Sequence, residues 1–373
     1  MSAPTGSPPG QTPGNRSCHT NFFRMTPPLL SPRFLSLPKA ELHLHLEGSI
    51  QLATACTLAA RHGVKLTQQD VLQRYTYRDF TEFIDSFKWV TSFLRQPADY
   101  ALVLHDLGEH LSTQGVVYAE VTLSVGVMLL RGQQPEANFE AIQRAAEPSE
   151  TRGLRLNWVF DAVRQFGPAE ARRVVEAAKR CGSKGIVAFG IGGNELSVPT
   201  EDFRPVYEKA RDAGLHLLIH AGEIGEPEKI REAVQLLGVE RIGHGIAAVH
   251  DLALMDLLVE RKIALEICPQ SNIRTGALAK QLRRAAVRIE DHPLPRLLRH
   301  GIPVVLSTDD PTMFQTTLLS EYENAARMGL SQEELVKLAE MSFEHAFLSE
   351  SERASLKSGG SSQQEANRNT TSD

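Results

Sequence analysis

The chain has 373 residues, a formal net charge of −5 and four cysteines, and these values exclude several classes of protein. Acidic and basic residues are interspersed, so we expect no basic surface for nucleic acid. No run approaches the roughly 18 apolar residues of a membrane span, and the amino terminus lacks an apolar signal core. The cysteines have no CxxC spacing, which argues against a disulfide framework or a thiolate zinc site. We therefore expect a cytoplasmic protein without nucleic-acid or membrane partners.

Composition divides the chain into one large body and two polar ends. Residues 1–34 are rich in Pro, Gly, Ser and Thr, and 358–373 form a similar polar run. Such segments bury too little apolar surface to fold, so we predict a disordered tail at each end. A single ordered domain is expected over 35–357.

The first predicted element of this domain is a strand with two histidines. In Lys39-Ala-Glu-Leu-His-Leu-His-Leu-Glu47, apolar and polar residues alternate, which is typical of a strand with one polar face. His43 and His45 then point the same way and can share one cation. Two surface histidines on an edge strand explain the pattern equally well, so other parts of the chain must decide.

A helical stretch interrupts the chain between this strand and the next. Helices are predicted at 52–61, 79–94 and 100–112. In the second of them, Phe80, Phe83, Ile84, Phe87 and Val90 recur at spacings of three and four, which gives one apolar face. Most such faces belong to the core. Because this helix also carries Trp89 and is inserted above the expected active site, a lid over the substrate is the alternative.

Short apolar runs alternate with amphipathic helices along the remainder of the chain. The runs lie at 116–121, 154–160, 185–189, 215–219, 241–242, 263–267 and 303–306. With the first strand they make eight, which predicts an α/β fold, a (β/α)₈ TIM barrel with a helical insertion after strand 1. A doubly wound open sheet is the alternative, but its usual Gly-rich phosphate turn does not follow the first strand here.

Polar side chains collect where the predicted strands end, which is where barrel enzymes have their active sites. Three imidazoles and one carboxylate would hold a divalent ion that acidifies a bound water, and our candidates for these ligands are His43, His45, His220 and Asp309. A hydrolytic site also needs groups that move protons without binding the metal. Glu223 and His244 are the candidates for this role, and Asp310 would orient the attacking oxygen or the substrate.

Four motifs in this order resemble the adenosine deaminase family of metal-dependent amidohydrolases. They are His43-Leu-His45, His220-Ala-Gly-Glu223, Gly243-His-Gly245 and Ser307-Thr-Asp-Asp-Pro311, with support from Leu265-Glu-Ile-Cys-Pro-Gln-Ser-Asn272. The resemblance covers about residues 37–350. It implies a hydrolase of purine metabolism that acts on C–N bonds in cyclic amidines. It also implies one Zn²⁺ per subunit, bound by the four candidate ligands.

The resemblance further implies a role for each remaining site residue. Glu223 would protonate N1 of the purine, while His244 would assist deprotonation of the water that attacks C6. Asp310 would contact the attacking oxygen and N7. The backbone N–H of Gly193 would bind N3, and Glu47 stands where typical adenosine deaminases have an aspartate that contacts the ribose.

The substrate is less well defined than the chemistry. The sequence His-Leu-His-Leu-Glu-Gly is also common in relatives that act on adenine or on aminodeoxyfutalosine, a menaquinone precursor. The segment Gly190-Ile-Gly-Gly-Asn-Glu195 resembles that of the nucleoside enzymes and weighs against adenine. We expect deamination of adenosine or deoxyadenosine to inosine or deoxyinosine, with aminodeoxyfutalosine next and adenine third.

Two other functions have to be weighed against this one. A deaminase-like barrel without catalysis would serve as a binding or signalling protein, since a fold alone does not define a function. A decayed site would usually lack Glu223, His244 or one aspartate, and all are present. A phosphotriesterase-like hydrolase with two metals would need a bridging lysine after strand four, where the chain has Gly190-Ile-Gly-Gly. Surface or capping positions are expected for His62, His105, His110, His250, His292 and His300.

Overall fold

Eight parallel strands form the centre of the fold in the computed structural model, which describes residues 29–182 and 184–357. The strands are hydrogen-bonded to one another in chain order, and every neighbouring pair is parallel. They are β1 (Lys39–His45), β2 (Val116–Leu123), β3 (Arg155–Val163), β4 (Ile186–Gly192), β5 (His216–Ala221), β6 (Arg241–His244), β7 (Ala264–Ile267) and β8 (Val304–Leu306).

The residues directly after β8 close the sheet into a barrel. The backbone N–H of Asp309 donates to His43 O at 2.9 Å, and the N–H of His45 donates to Asp309 O at 2.8 Å. Leu44 and Asp309 therefore form a parallel bridge between the first and last strands. The predicted (β/α)₈ barrel is confirmed.

Helices surround the barrel and fill the predicted insertion. Four of them separate β1 from β2, as predicted for a helical interruption at this point. The first helices are α1 (Pro32–Leu35), α2 (Leu52–Arg61), α3 (Gln68–Arg74), α4 (Phe80–Thr91), α5 (Pro97–Ser112), α6 (Val125–Leu130), α7 (Pro135–Thr151), α8 (Gly167–Cys181) and α9 (Arg204–Asp212). The later ones are α10 (Pro227–Glu232), α11 (Leu252–Glu260), α12 (Pro269–Arg274), α13 (Ala277–Leu282), α14 (Leu294–His300), α15 (Pro311–Phe314), α16 (Leu318–Arg327), α17 (Gln332–Glu344) and a last helix over 350–357.

The helices pack their apolar faces on strands that are buried on both sides. In α8, for example, Ala171, Val174 and Ala178 are buried at spacings of three and four, so one stripe of the helix faces the barrel. The strands are buried along almost their whole length, which is usual for a parallel sheet covered by helices. Across the described ranges, no helix is both long and apolar enough to cross a bilayer.

Two boundaries differ from those predicted from the sequence. The predicted tail over 1–34 includes α1, where Phe34 is buried with its ring centroid 4.8 Å from that of Tyr322. Residues 1–28 and 358–373 lie outside the described residues. The first strand ends at His45, because Leu46 has helical backbone angles and Glu47 begins a 3₁₀ turn. Glu47 is therefore not on the strand face that carries the histidines.

Candidate metal centre and active site

A cavity of about 150 Å³ opens at the carboxyl ends of the strands. Its floor brings together most of the residues predicted for the site. Those that line it are Gly193, His45, His220, Glu223, His244, Asp309 and Asp310. Side chains of α4 also line the cavity, and these are Phe80, Phe83, Ile84 and Phe87. Trp89 is not among the lining residues and packs on Phe93, with ring centroids 5.4 Å apart.

Three of the four predicted metal ligands converge on one point. Asp309 Oδ1 lies 3.4 Å from His43 Nε2 and 3.3 Å from His45 Nε2. The donor atoms of these three residues lie within 4.8 Å of one another. His43 Nε2 is buried and has no hydrogen-bond partner, although it is directed at this point. Buried polar atoms are rarely left unpaired, and a bound cation would explain this one.

The fourth predicted ligand, His220, lies beside the same point. Its ring centroid is 4.6 Å from that of His43 and 5.5 Å from that of His45. The donor atoms of His43, His220 and His244 form a second group within 4.8 Å, so His43 belongs to both groups. Imidazole nitrogens and one carboxylate are a donor set that suits Zn²⁺, and the residues therefore fit a divalent cation.

Backbone geometry at the strand ends makes this convergence possible. Asp309 has φ +66° and His244 has φ +64°, both in the left-handed region that side chains other than glycine rarely adopt. Such strained positions cluster at functional sites, where surrounding contacts hold them. At Gly243, an added Cβ would lie 2.7 Å from His43 Cε1 and 3.2 Å from His220 Cδ2. Only glycine at this position leaves room for both imidazoles.

The surroundings shift the pKa values of all four predicted ligands, raising that of His43 and lowering those of Asp309, His45 and His220. Burial opposes the charged form of His43, but the carboxylates of Asp309 and Glu266 outweigh it and raise its pKa to about 10. Burial also opposes ionisation of Asp309, yet the neighbouring His43 and His244 hold its pKa well below the usual range. Burial lowers the pKa of His45 to about 4, and it holds the pKa of His220 well below its ordinary value. The latter two stay neutral, which is the form that binds metal.

Glu223 lines the cavity beside this centre, and the pKa of its carboxyl is raised. Burial raises the pKa of its carboxyl to about 8, and the charges of Asp309 and Glu195 act in the same direction. The hydroxyl of Thr275 donates to Glu223 Oε1 at 3.3 Å, and His244 Nε2 lies 3.7 Å from Oε2. At neutral pH the side chain therefore holds a proton inside the cavity.

A chain of hydrogen bonds defines which nitrogen of His244 carries its proton. The backbone N–H of Leu294 donates to His292 Nδ1 at 3.1 Å, so neutral His292 has its proton on Nε2 and donates to Asn272 Oδ1 at 3.1 Å. The Asn272 amide then donates to His244 Nδ1 at 3.1 Å. Burial keeps both imidazoles neutral by lowering their pKa values to about 3 and about 4. His244 consequently presents an N–H at Nε2 to the cavity.

Asp310 is buried beside the metal ligands with an unpaired oxygen. Its Oδ1 has no hydrogen-bond partner, and burial together with the charge of Asp309 raises its pKa well above the ordinary value. An added Cβ on Gly48 would fall 1.8 Å from Asp310 Oδ1. The Asp310 carboxyl can therefore approach the site because residue 48, in the turn after β1, is glycine.

The two other predicted substrate contacts differ in their positions. Gly193 lines the cavity with φ +89°, a conformation natural to glycine. Glu47 is buried but is not among the residues that line the cavity. Its Oε1 accepts the backbone N–H of Ser124 at 3.0 Å, its Oε2 has no partner, and burial raises its pKa to about 7.

Several residues that support the site were not among the predicted site residues, although Glu266 and Ser271 lie in the segment 265–272 that supports the family resemblance. Ser271 donates to Asp309 Oδ2 at 2.7 Å, and Glu266 bonds His43. His292, predicted to have a surface or capping position, is instead buried in the chain that orients His244. The surroundings of His292 are formed by segments that are distant in sequence, so residue type and spacing do not reveal that this side chain is buried.

Fold and donor set together define a metal-dependent hydrolase of the amidohydrolase type. A sequence model of the family described as adenosine deaminase matches residues 38–360. The chain is 38% identical over 319 residues to aminodeoxyfutalosine deaminase of Streptomyces coelicolor, which covers 84% of this chain and 80% of that protein. It is 33% identical over 333 residues to adenosine deaminase of Salmonella typhi, and this match covers 87% of this chain and 97% of that protein.

A solved structure gives the same result. The crystal structure of adenine deaminase from Arthrobacter aurescens matches with a TM-score of 0.80 and 28% identity, covering 88% of this chain and 99% of that one. The chain therefore belongs to the adenosine deaminase family. It is a hydrolytic deaminase of an adenine-containing compound, and its family depends on a metal.

Proposed function

We propose that this protein removes the 6-amino group of an adenine nucleoside by hydrolysis, with aminodeoxyfutalosine as the first candidate substrate. The higher identity to an aminodeoxyfutalosine deaminase reverses the order expected from the sequence, where adenosine came first. Adenosine is the second candidate, because the Salmonella relative is covered almost completely. The observation that carries the proposal is the buried Glu223 carboxyl, whose pKa burial raises to about 8, in the same cavity as His45, His220 and Asp309.

The metal is proposed to be Zn²⁺, held by His43, His45, His220 and Asp309. Neutral imidazoles with a single carboxylate favour zinc over Mg²⁺ or Ca²⁺, which prefer oxygen ligands. When bound, the ion supplies a water molecule acidified to near neutral pH as the nucleophile. The protein residues then have to bind the purine, move its protons and accommodate the attacking oxygen.

Glu223 is proposed to supply the proton that the purine needs. A carboxyl with a pKa of about 8 is mostly protonated at pH 7 and can donate to N1. Protonation at N1 weakens the aromaticity of the ring, so C6 can become tetrahedral. Of the two protons of the attacking water, one would go to the amino group, which leaves as ammonia, and the other would restore the Glu223 carboxyl.

His244 and Asp310 are proposed to act on the two sides of the reacting carbon. The Nε2–H of His244 would donate to the attacking oxygen and stabilise its charge. Because Nε2 already carries a proton and Nδ1 accepts from Asn272, this donor role replaces the role in deprotonating the water that was expected from the sequence. A protonated Asp310 would donate to purine N7. The N–H of Gly193 would bind N3, while Glu47, which does not line the cavity, is left as a ribose contact that requires a local shift.

A substrate panel tests the function directly. Zinc-loaded protein would be assayed by ultraviolet absorbance with aminodeoxyfutalosine, adenosine, deoxyadenosine, adenine and AMP. We expect the highest kcat/KM with aminodeoxyfutalosine and measurable turnover of adenosine. Fastest turnover of adenine would contradict a nucleoside substrate. The Glu223→Gln variant should lose most of its turnover, about 100-fold or more, while its zinc content stays intact. Loss of zinc would instead mean that Glu223 is a ligand.

A further inference from the structure

The loop that carries Glu223 is held by a side chain from the loop that follows the neighbouring strand β4. Residues 222–226 connect β5 to α10 and belong to neither element. The Glu195 carboxylate accepts the backbone N–H of Gly222 at 2.6 Å and that of Gly225 at 2.5 Å, and it also accepts that of Ile224. Three amides of one short loop therefore donate to a single carboxylate.

A second side chain binds the carbonyl groups of the same loop. Gln281, near the end of α13, donates from Nε2 to Glu223 O at 3.0 Å and to Gly225 O at 2.8 Å. The N–H groups are thus bound from the β4 side and the C=O groups from the α13 side. Side chains therefore engage both donors and acceptors of this loop, while Gly222 O accepts the backbone N–H of Ala247 at 2.9 Å.

The contact with Glu195 is buried and closely packed. Glu195 is only 3% exposed, although it carries a carboxylate. An added Cβ on Gly225 would lie 3.0 Å from Glu195 Oε2, so the loop and the carboxylate leave no space between them. Hydrogen bonds to an ionised acceptor are about twice as strong as neutral ones, and a buried carboxylate without them would be strongly unfavourable. The loop and Glu195 therefore stabilise each other.

We propose that Glu195 and Gln281 are positioning residues that hold the Glu223 loop so that its carboxyl reaches the purine ring. The inference rests on the proposed role of Glu223 as proton donor. Glu195 directly follows the segment with Gly193, so one stretch of chain forms the wall for the base and binds the loop of the acid. A displacement of about 1 Å at a reacting group can cost about 100-fold in rate, so small movements of the loop matter.

The Glu195→Gln and Gln281→Met variants test this inference. Glu195→Gln keeps the size but replaces an accepting oxygen with an NH₂ group, which faces backbone N–H donors. Gln281→Met keeps the length and removes the donor. We expect kcat per bound zinc to fall about tenfold or more in Glu195→Gln and by less in Gln281→Met, with KM changed less than about twofold. The exposed Glu201→Gln is the matched control and should behave as wild type.

Hydrogen exchange provides a readout that does not depend on activity. In both variants, amides of residues 222–225 should exchange faster, while amides of β5 keep their wild-type rates. Unchanged exchange in this loop, or a raised KM with unchanged kcat, would overturn the inference. If amides throughout the Glu195→Gln protein exchange faster, this variant is unfolded. The exchange and kinetics of Gln281→Met then test the inference. Activity retained in Glu223→Gln would refute the proposed function, whereas the exchange result still tests whether the loop is held.

Discussion

Glu266 Oε2 lies 2.7 Å from His43 Nδ1, and the other oxygen of the same carboxylate accepts from Arg241 Nε at 2.6 Å. Arg241 is itself buried, bonded to Glu120 and to the backbone oxygen of His345 at 2.7 Å. The predicted metal ligand is thus anchored to an ionic network inside the barrel. An anchor on Nδ1 directs Nε2 toward the metal position and makes it a better donor.

Replacing Glu266 should weaken the metal site before it affects the fold. In Glu266→Gln the hydrogen bond to His43 loses its charge, and we expect about 10- to 100-fold weaker zinc binding. Competition with a chromophoric chelator measures this affinity. The exposed Glu344→Gln serves as the matched control. Thermal unfolding of the metal-free proteins separates loss of affinity from loss of structure. Unchanged affinity in a folded Glu266→Gln protein would contradict the assignment.

The pH dependence of turnover should reflect the raised pKa of Glu223. Burial moves this pKa from 4.5 to about 8, so the carboxyl is protonated below about pH 8 and ionised above it. Since the protonated form donates to the purine, kcat/KM should fall as pH rises through about 8. A profile recorded at constant zinc occupancy checks the prediction. Activity that remains flat well above this pH would show that another group supplies the proton.

The orientation of His244 depends on Asn272, and this can be tested by one substitution. In Asn272→Asp the side chain can only accept hydrogen bonds, so neutral His244 should carry its proton on Nδ1, donate it to the aspartate and leave Nε2 without one. We expect kcat to fall about tenfold or more, because the donor to the attacking oxygen is lost. Nitrogen NMR of the imidazoles should report the change of tautomer. An unchanged tautomer, with Nε2 still protonated, would refute the hydrogen-bond chain.

The lid hypothesis predicts a defect in binding rather than in chemistry. Phe83 lines the cavity and packs on Phe314 with ring centroids 4.9 Å apart. In Phe83→Ala, KM for a nucleoside should rise about tenfold, or roughly 1.4 kcal/mol, with a smaller effect on kcat. Trp89→Ala is the control on the same helix, because Trp89 does not line the cavity. An unchanged KM for Phe83→Ala would eliminate the lid.

The parts of this molecule that could be predicted from sequence are those with local patterns. Strand and helix periodicity predicted the barrel, and polar residues at strand ends predicted which side chains share its rim. His45, His220 and Asp309 were found because each directly ends or follows a strand. Family motifs then connected these residues to deamination.

The parts that could not be predicted arise from contacts between distant segments. The bonds of Glu195 to the Glu223 loop span 27 to 30 residues, and those of Glu266 to His43 span 223. Glu47 was expected beside the ribose, but a helical turn directly after β1 removes it from the strand face. Strand periodicity carries no information on where such a turn begins.

The hydrogen bonds between Asp309 and the backbone of β1 have a consequence for biosynthesis. The first two histidines of the centre emerge from the ribosome more than 260 residues before the aspartate that faces them. A nascent chain that lacks its eighth strand has neither a sealed ring nor a complete ligand set. Catalytic competence should therefore arise only after Asp309 has been synthesised, in the same step that joins the two edges of the sheet.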